Sequence, residues 1–282
     1  YGGVVPELAS RAHQQNIIPV VNTAIKKANI KKEDINAVAF TKGPGLLGSL
    51  LVGSSFAKSF AIGMQIPLIT VNHMQAHILA HFIDEKKPMP KFPFLCLTVS
   101  GGHTQIVKIS SINCMKVIGT TLDDAAGEAF DKSAKMLNLQ YPGGPLIDKY
   151  AKHGDINAFT FGKPKVKNLD FSFSGLKTSI LYKIQNETKN NPNFVEENLV
   201  DLCASIQHSI VTILLEKLQK AIKETGIIEI AIAGGVSANS CLRDRLHKLS
   251  DVNKYNLYIP KFEYCTDNAA MIAIAGYFKY LN

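Results

Sequence analysis

No run of about 18 apolar residues occurs in this 282-residue chain, so a membrane-spanning helix is not expected. No two of the five cysteines (Cys96, Cys114, Cys203, Cys241 and Cys265) stand in C-x-x-C spacing, and their number is odd. That argues against a disulfide framework and a thiolate zinc site, and it suits a reducing cytoplasm. No solenoid-type repeat is present. The chain opens at Tyr1 rather than Met, in mid-pattern, and no leader is visible. Acidic residues are outnumbered, giving a formal charge of +8. Lysines cluster in AIKKANIKKED, DEKKPMPK and FGKPKVKNLD. Such clusters either neutralise phosphates and steer nucleic acid or simply solvate the surface.

The chain is long enough for one large or two medium domains. Residues 5–28 read as an amphipathic helix with Pro6 near its start. INAVAF (35–40) is a short apolar strand, TKGPGLLGS a glycine-rich turn, and a helix follows to about residue 63. IPLITV (66–71) is a second strand that feeds a helix rich in histidine. This order is the α/β pattern of a mainly parallel sheet. DEKKPMPKFP (84–93) is a polar linker containing proline. FLCLTVS (94–100) and TQIVKIS (104–110) flank GGH as a hairpin, and MKVIGTT adds a third strand. A helix is expected from about residue 124 to 137, then the turn YPGGP and more helix. Helix covers about 195–225, IIEIAIAGG (227–235) is a buried strand, and SANSCLRDRLHKL opens a helix. YNLYIP is a last strand and TDNAAMIAIAGYFKYL a final helix.

VNHMQAHILAHF (71–82) carries His73, His77 and His81 at four-residue spacing, so each adjacent pair points the same way on a helix. His73 and His81 stand about 12 Å apart along the axis and do not easily share one ion. Sites in open α/β sheets lie beyond the carboxyl ends of strands, which favours the pair 73/77. A metallopeptidase needs Glu directly after the first His; Met74 stands there.

SGGHT (100–104) and AGGVSAN (233–239) are glycine turns whose N–H groups suit an oxyanion, the second at a helix N-terminus. DDAAGEAFDK (123–132) brings Asp123, Asp124, Glu128 and Asp131 together. Asp123 or Asp124 is expected to cap the helix that follows. Asp131 lies deeper and suits a ribose or an ammonium. Asp148 follows the YPGGP turn, and Asp267 is either the cap of the last helix or a functional acid.

Taken in order, YGGVVPELASRAH, TKGPGLLGSLLVG, VNHMQAH, VSGGHTQ, DDAAGEAFDK, YPGGP, FSFSGLKT, GGVSANSCLR and TDNAAMIA closely resemble the TsaD family. That family is the catalytic subunit of the threonylcarbamoyladenosine synthesis machinery for tRNA. The resemblance covers nearly the whole chain. It implies a two-lobed α/β fold of the actin, sugar kinase and Hsp70 type with an interlobe cleft. The first lobe is expected from 1–93 with 267–282 and the second from 94–266.

The resemblance also implies transfer of a threonylcarbamoyl group from threonylcarbamoyl-adenylate to the exocyclic amine of the adenosine 3′ of the anticodon. The tRNAs concerned read codons beginning with A. It implies one divalent metal on His73, His77 and Asp267, iron by family precedent with zinc and magnesium as alternatives. The adenylate-binding positions match Thr98, Val99, Ser100, Gly101, Gly102, Asp131, Gly144, Asp148 and Asn239. His81 matches no ligand position. Expected partners are tRNA, a paralogous subunit and a small ATPase. A non-catalytic paralogue is expected to lose the H-x-x-x-H pair, which is kept here. Family members begin with a strand hairpin carrying an E-S-S-C-D-E-like loop; this sequence starts after it, so the first lobe is expected without those edge strands.

Overall fold

The computed structural model describes residues 3–84 and 86–281. Tyr1 and Gly2, which open the first motif, and Glu85 of the linker lie outside the described residues, as does Asn282. The chain divides into two units, Tyr1–Asp84 with Asn268–Asn282, and Glu85–Asp267.

In the first unit, helix α1 runs Pro6–Ala28, with Pro6 in the first turn where its missing N–H costs nothing. It ends at Asn29 in the left-handed conformation. Strand β1 (Val38–Gly43), helix α2 (Leu47–Met64) and strand β2 (Leu68–Asn72) form a βαβ unit. β1 and β2 pair in parallel from Val38↔Leu68 to Gly43↔Asn72. β1 therefore starts three residues later than its apolar run suggests, where pairing with β2 begins. Helix α3 is His73–Leu79, and α10 (Ala269–Tyr280) packs on α3, β1 and β2. Among the described residues β1 pairs only with β2. An apolar groove of about 800 Å³, lined by Ile17, Val21, Phe40, Phe56, Phe60 and Ile272, opens on this unit.

In the second unit, strands β3 (Phe94–Val99), β4 (Thr104–Ser111), β5 (Cys114–Thr120), β6 (Glu229–Ala233) and β7 (Asn256–Tyr258) form one sheet, ordered β5-β4-β3-β6-β7. β3 is central and every one of its residues is buried, which is why it reads as a continuous apolar run. It pairs antiparallel with β4 through the expected hairpin and parallel with β6, Thr98 opposite Ala233. The carboxyl ends of β3 and β6 therefore open side by side, the place where α/β sheets put their sites.

Helices α4 (Ala126–Met136), α5 (Gly143–Ala151), α6 (Ser174–Asn190), α7 (Phe194–Glu197), α8 (Leu199–Thr225) and α9 (Ser240–Asn253) complete the unit. α2 and α8 are long and apolar enough to cross a membrane by length and composition alone, a test that core helices also pass. α8 is such a core helix, burying Leu202, Ile206, Ile210, Leu214 and Leu218.

One expectation is overturned. α4 starts at Ala126, whose N–H donates to the Thr104 hydroxyl at 2.9 Å, and neither Asp123 nor Asp124 caps it. Asp123 instead accepts the N–H of Phe173 at 2.7 Å and of Ser174 at 3.3 Å, and the hydroxyls of Ser172 and Ser174. It caps the first turn of α6, fifty residues away. Asp124 pairs with Lys132 at 2.8 Å and Lys177 at 3.0 Å. The backbone after Asp124 stays extended at Ala125, so neither carboxylate reaches the α4 amides.

Candidate active site

A cavity of about 270 Å³ lies at the carboxyl ends of β3 and β6. Its polar wall holds two carboxylates, each set by a helix N-terminus. Asp131, on α4, accepts the N–H of Gly143 at 2.8 Å and of Gly144 at 3.3 Å, both through Oδ1. Asp148, on α5, accepts the Ser240 hydroxyl at 2.7 Å and the Ser240 N–H at 3.2 Å. Hydrogen bonds to backbone donors fix where each carboxylate stands and keep its charge accessible from the cavity. Asn239 carries its cap of α9 through Oδ1, 2.9 Å from the Leu242 N–H, and donates Nδ2 to Gln207 at 2.7 Å. Nδ2 keeps one further proton to donate.

The floor of the cavity depends on glycine. Gly234 has φ +87°, and a side chain there would run into the Val99 carbonyl. Gly127 lies against the hairpin turn, where an added Cβ would sit 2.6 Å from the Ser100 carbonyl oxygen and 2.8 Å from the Gly101 Cα. Phe130, Pro145 and Val236 supply apolar walls.

Of the residues expected here, Gly101, Asp131, Gly144, Asp148 and Asn239 line the cavity. Thr98 and Val99 do not: they lie inside β3 with no exposed surface. Ser100 shapes the turn, accepting the His103 N–H at 3.1 Å, and Gly102 follows in it without lining the wall. Gly235, Val236 and Ala238 of the AGGVSAN turn also line it, and so do Gly127 and Phe130, from a segment whose expected contribution is its carboxylates alone.

The second group of chemical interest begins at the end of β2. Asn72 caps α3, its Oδ1 accepting the N–H of Met74 at 2.9 Å and of Gln75 at 3.1 Å. That cap starts the helix at His73 and puts His77 one turn on. The two rings stand edge to face with centroids 4.8 Å apart. One ligand atom from each of His73, His77 and Asp267 lies within 4.8 Å of the others. The chain divides between Asp267 and Asn268, the cap of α10. Asp267 is thus one peptide bond from a helix that packs on α3 within the first unit. His77 is buried, His73 half-buried and Asp267 exposed. His81 sits in the short turn Ala80–Phe82 and is not in the group.

A family model described as tRNA N6-adenosine threonylcarbamoyltransferase, TsaD, matches residues 1–274. The chain belongs to this family. The tRNA N6-adenosine threonylcarbamoyltransferase of Christiangramia forsetii is 66% identical over 282 residues, covering all of this chain and 83% of that protein. The enzyme of the same name from Riemerella anatipestifer is 63% identical over 281 residues, covering 99% and 82%.

Among solved structures, full-length HypF in its phosphate- and nucleotide-bound form superposes with a TM-score of 0.66 at 13% identity, covering 94% of this chain and 41% of that one. This likeness speaks to the fold alone, an α/β fold shared with that chain. The protein is therefore a threonylcarbamoyltransferase that acts on tRNA adenosine, and its His-His-Asp group could hold a metal ion.

Proposed function

We propose that this threonylcarbamoyltransferase takes threonylcarbamoyl-adenylate as donor and modifies the adenosine immediately 3′ of the anticodon in tRNAs reading codons that begin with A. The observation that carries the donor assignment is the cavity with two carboxylates and two helix N-termini on its wall. A ribose offers hydroxyl donors to Asp131 and Asp148, and the base has Phe130, Pro145 and Val236 as apolar neighbours. Amides of Gly101 and Gly102 suit phosphate oxygens, as amides of glycine turns do, while Ser100 and Gly144 give their N–H groups to the His103 carbonyl and to Asp131. Asn239 offers its remaining amide proton. Thr98 and Val99 serve by holding the strand that carries the turn.

The donor set of His73, His77 and Asp267 suits one divalent ion. Bonds of about 2.1 Å place ligand atoms up to roughly 4 Å apart, so small side-chain rotations close this group on one ion. Two imidazoles and a carboxylate favour iron or zinc over magnesium, which prefers oxygen ligands. When bound, such an ion supplies Lewis-acid polarisation of a nearby oxygen.

In the transfer, a bond forms between N6 of the tRNA adenosine and the carbamoyl carbon. The bond from that carbon to the phosphate oxygen breaks, AMP leaves, and N6 gives up a proton. The nucleophile belongs to the RNA, so no protein thiol is required. Burial pushes the Cys96 and Cys203 thiols up to about 12, which keeps both in the unreactive protonated form.

Lobes at 1–93 with 267–282 and at 94–266, a paralogous partner subunit, a small ATPase and a cytoplasmic location complete the proposal. The excess of lysine supports the RNA partner. Exposed Ile18, Leu47 and Leu51 on α1 and α2 support a protein partner. The test is reconstitution of the full-length protein with its partner subunits, tRNA, ATP, threonine and bicarbonate. Mass analysis of the nucleosides should find threonylcarbamoyladenosine at the position 3′ of the anticodon. Unmodified tRNA, or modification elsewhere, would refute the proposal.

A further inference from the structure

Arg243, on α9, spends its guanidinium on two chain segments that the reaction chemistry leaves unconnected. Nε donates to the Ser237 carbonyl at 2.6 Å. Ser237 belongs to the turn Gly235–Ala238, which lines the cavity. Nη2 donates to the Pro260 carbonyl at 3.0 Å and lies 3.2 Å from the buried Cys265 Sγ. The guanidinium also stacks 3.9 Å from the ring centroid of Phe262. Pro260, Phe262 and Cys265 form the stretch that runs directly into Asp267.

We propose that Arg243 is a positioning residue that locks the nucleotide turn and the stretch delivering Asp267 into one rigid piece. The inference rests on the donor and metal assignments above. One planar fork serves both segments because its N–H groups point in fixed, divergent directions while its face stays available for stacking. Lysine offers a single charged point on a flexible stem and cannot hold both carbonyls and the ring together. Arg243 touches neither of the proposed ligands; it acts through Ser237 and through the chain leading to Asp267.

The test uses the full chain and two binding probes that need no turnover: AMP, read by calorimetry, and Zn²⁺, read by competition with a chromogenic chelator. Arg243→Lys should weaken both affinities about tenfold in protein that circular dichroism shows to be folded at the assay temperature. A purely structural Arg243 predicts a lower melting temperature with both affinities unchanged in the folded protein, and that result overturns the inference. Loss of one affinity with the other intact overturns it as well.

Phe262 is 67% exposed, so Phe262→Ala should fold whatever Arg243→Lys does. It should weaken both probes about 2- to 5-fold, the range an exposed cation–π contact supplies; unchanged affinities count against the lock. A wild-type chain that binds neither AMP nor Zn²⁺ refutes the site assignment, and this inference falls with it. Wild-type binding with unaffected variants refutes the inference alone.

Discussion

Asn268, not Asp267, caps the last helix: its Oδ1 accepts the Met271 N–H at 2.8 Å. The neighbouring Asp267 is thereby left outside the cap and gathers with His73 and His77. The cap falls to one residue and a carboxylate that could bind a metal ion to its neighbour, each suited to its share. An amide caps without adding charge, and a carboxylate brings the negative charge a cation needs.

His77→Ala is expected to abolish threonylcarbamoyl transfer and bound metal together while leaving the far-ultraviolet circular dichroism unchanged. Losing a direct ligand should cost more than the 10- to 100-fold in metal affinity that loss of an outer partner costs. Asp267→Asn should act in the same direction, whereas Asn268→Ala should cost only about 1 kcal/mol of stability. Metal analysis beside the activity assay checks all three. Full activity of His77→Ala with its metal retained would remove the metal assignment.

Gly127→Ala should disturb the turn at residues 100–102, because the added methyl would meet the Ser100 carbonyl at 2.6 Å and the Gly101 Cα at 2.8 Å. Both neighbours are backbone and cannot swing aside, so a cost of about 1–3 kcal/mol is expected, with weaker AMP binding. Gly53→Ala, in α2, meets nothing within 4 Å and should be neutral or stabilising by up to about 1 kcal/mol. Urea melts of the pair separate the two outcomes.

The sequence shows the α/β order of the fold because its strands are short apolar runs ended by glycine turns, TKGPG, SGGH and AGGV. It also favours His73 with His77, since strand β2 ends directly before them. It does not reveal what distant segments decide. Asp123 and Asp124 look like local caps in DDAAGEAF, but the partners of Asp123 lie about fifty residues on, at the start of α6, and Asp124 is shared between Lys132 and the equally distant Lys177. α6 itself drew no helix assignment, and its buried stripe is only Leu176, Ile180 and Ile184. Phe130 enters the cavity wall through tertiary packing of α4 against the turn after β6, which no local pattern encodes. The choice of Asp267 as ligand over cap came from the family resemblance, since both roles fit the same local sequence.

Asp131→Ala should raise the KM for the adenylate donor more than it lowers kcat. The substitution removes the acceptor for the Gly143 and Gly144 amides as well as a carboxylate facing the cavity. Hydrogen bonds to a charged group are worth about 1.5–3 kcal/mol, or roughly 10- to 150-fold in donor affinity. Asp148→Ala should act the same way, through Ser240 and the start of α9. Steady-state kinetics with varied donor decides the matter: a fall in kcat at constant KM would place these carboxylates in the chemical step instead.

Asp123 makes stability depend on pH in the acid range. Burial pulls its carboxyl pKa up, but hydrogen bonds from Ser172, Phe173 and Ser174 outweigh this and hold it below the usual carboxylate range. As pH falls, the unfolded chain takes up this proton first. The stabilisation is therefore complete above the ordinary carboxylate value of about 4 and is lost as pH drops through the lower folded value. Asp123→Asn should lower the urea midpoint at pH 7 and flatten its decline between about pH 5 and pH 3. The comparison isolates Asp123, because the other carboxylates titrate alike in both proteins. Parallel pH profiles for wild type and variant would mean that this cap of α6 contributes nothing through its charge.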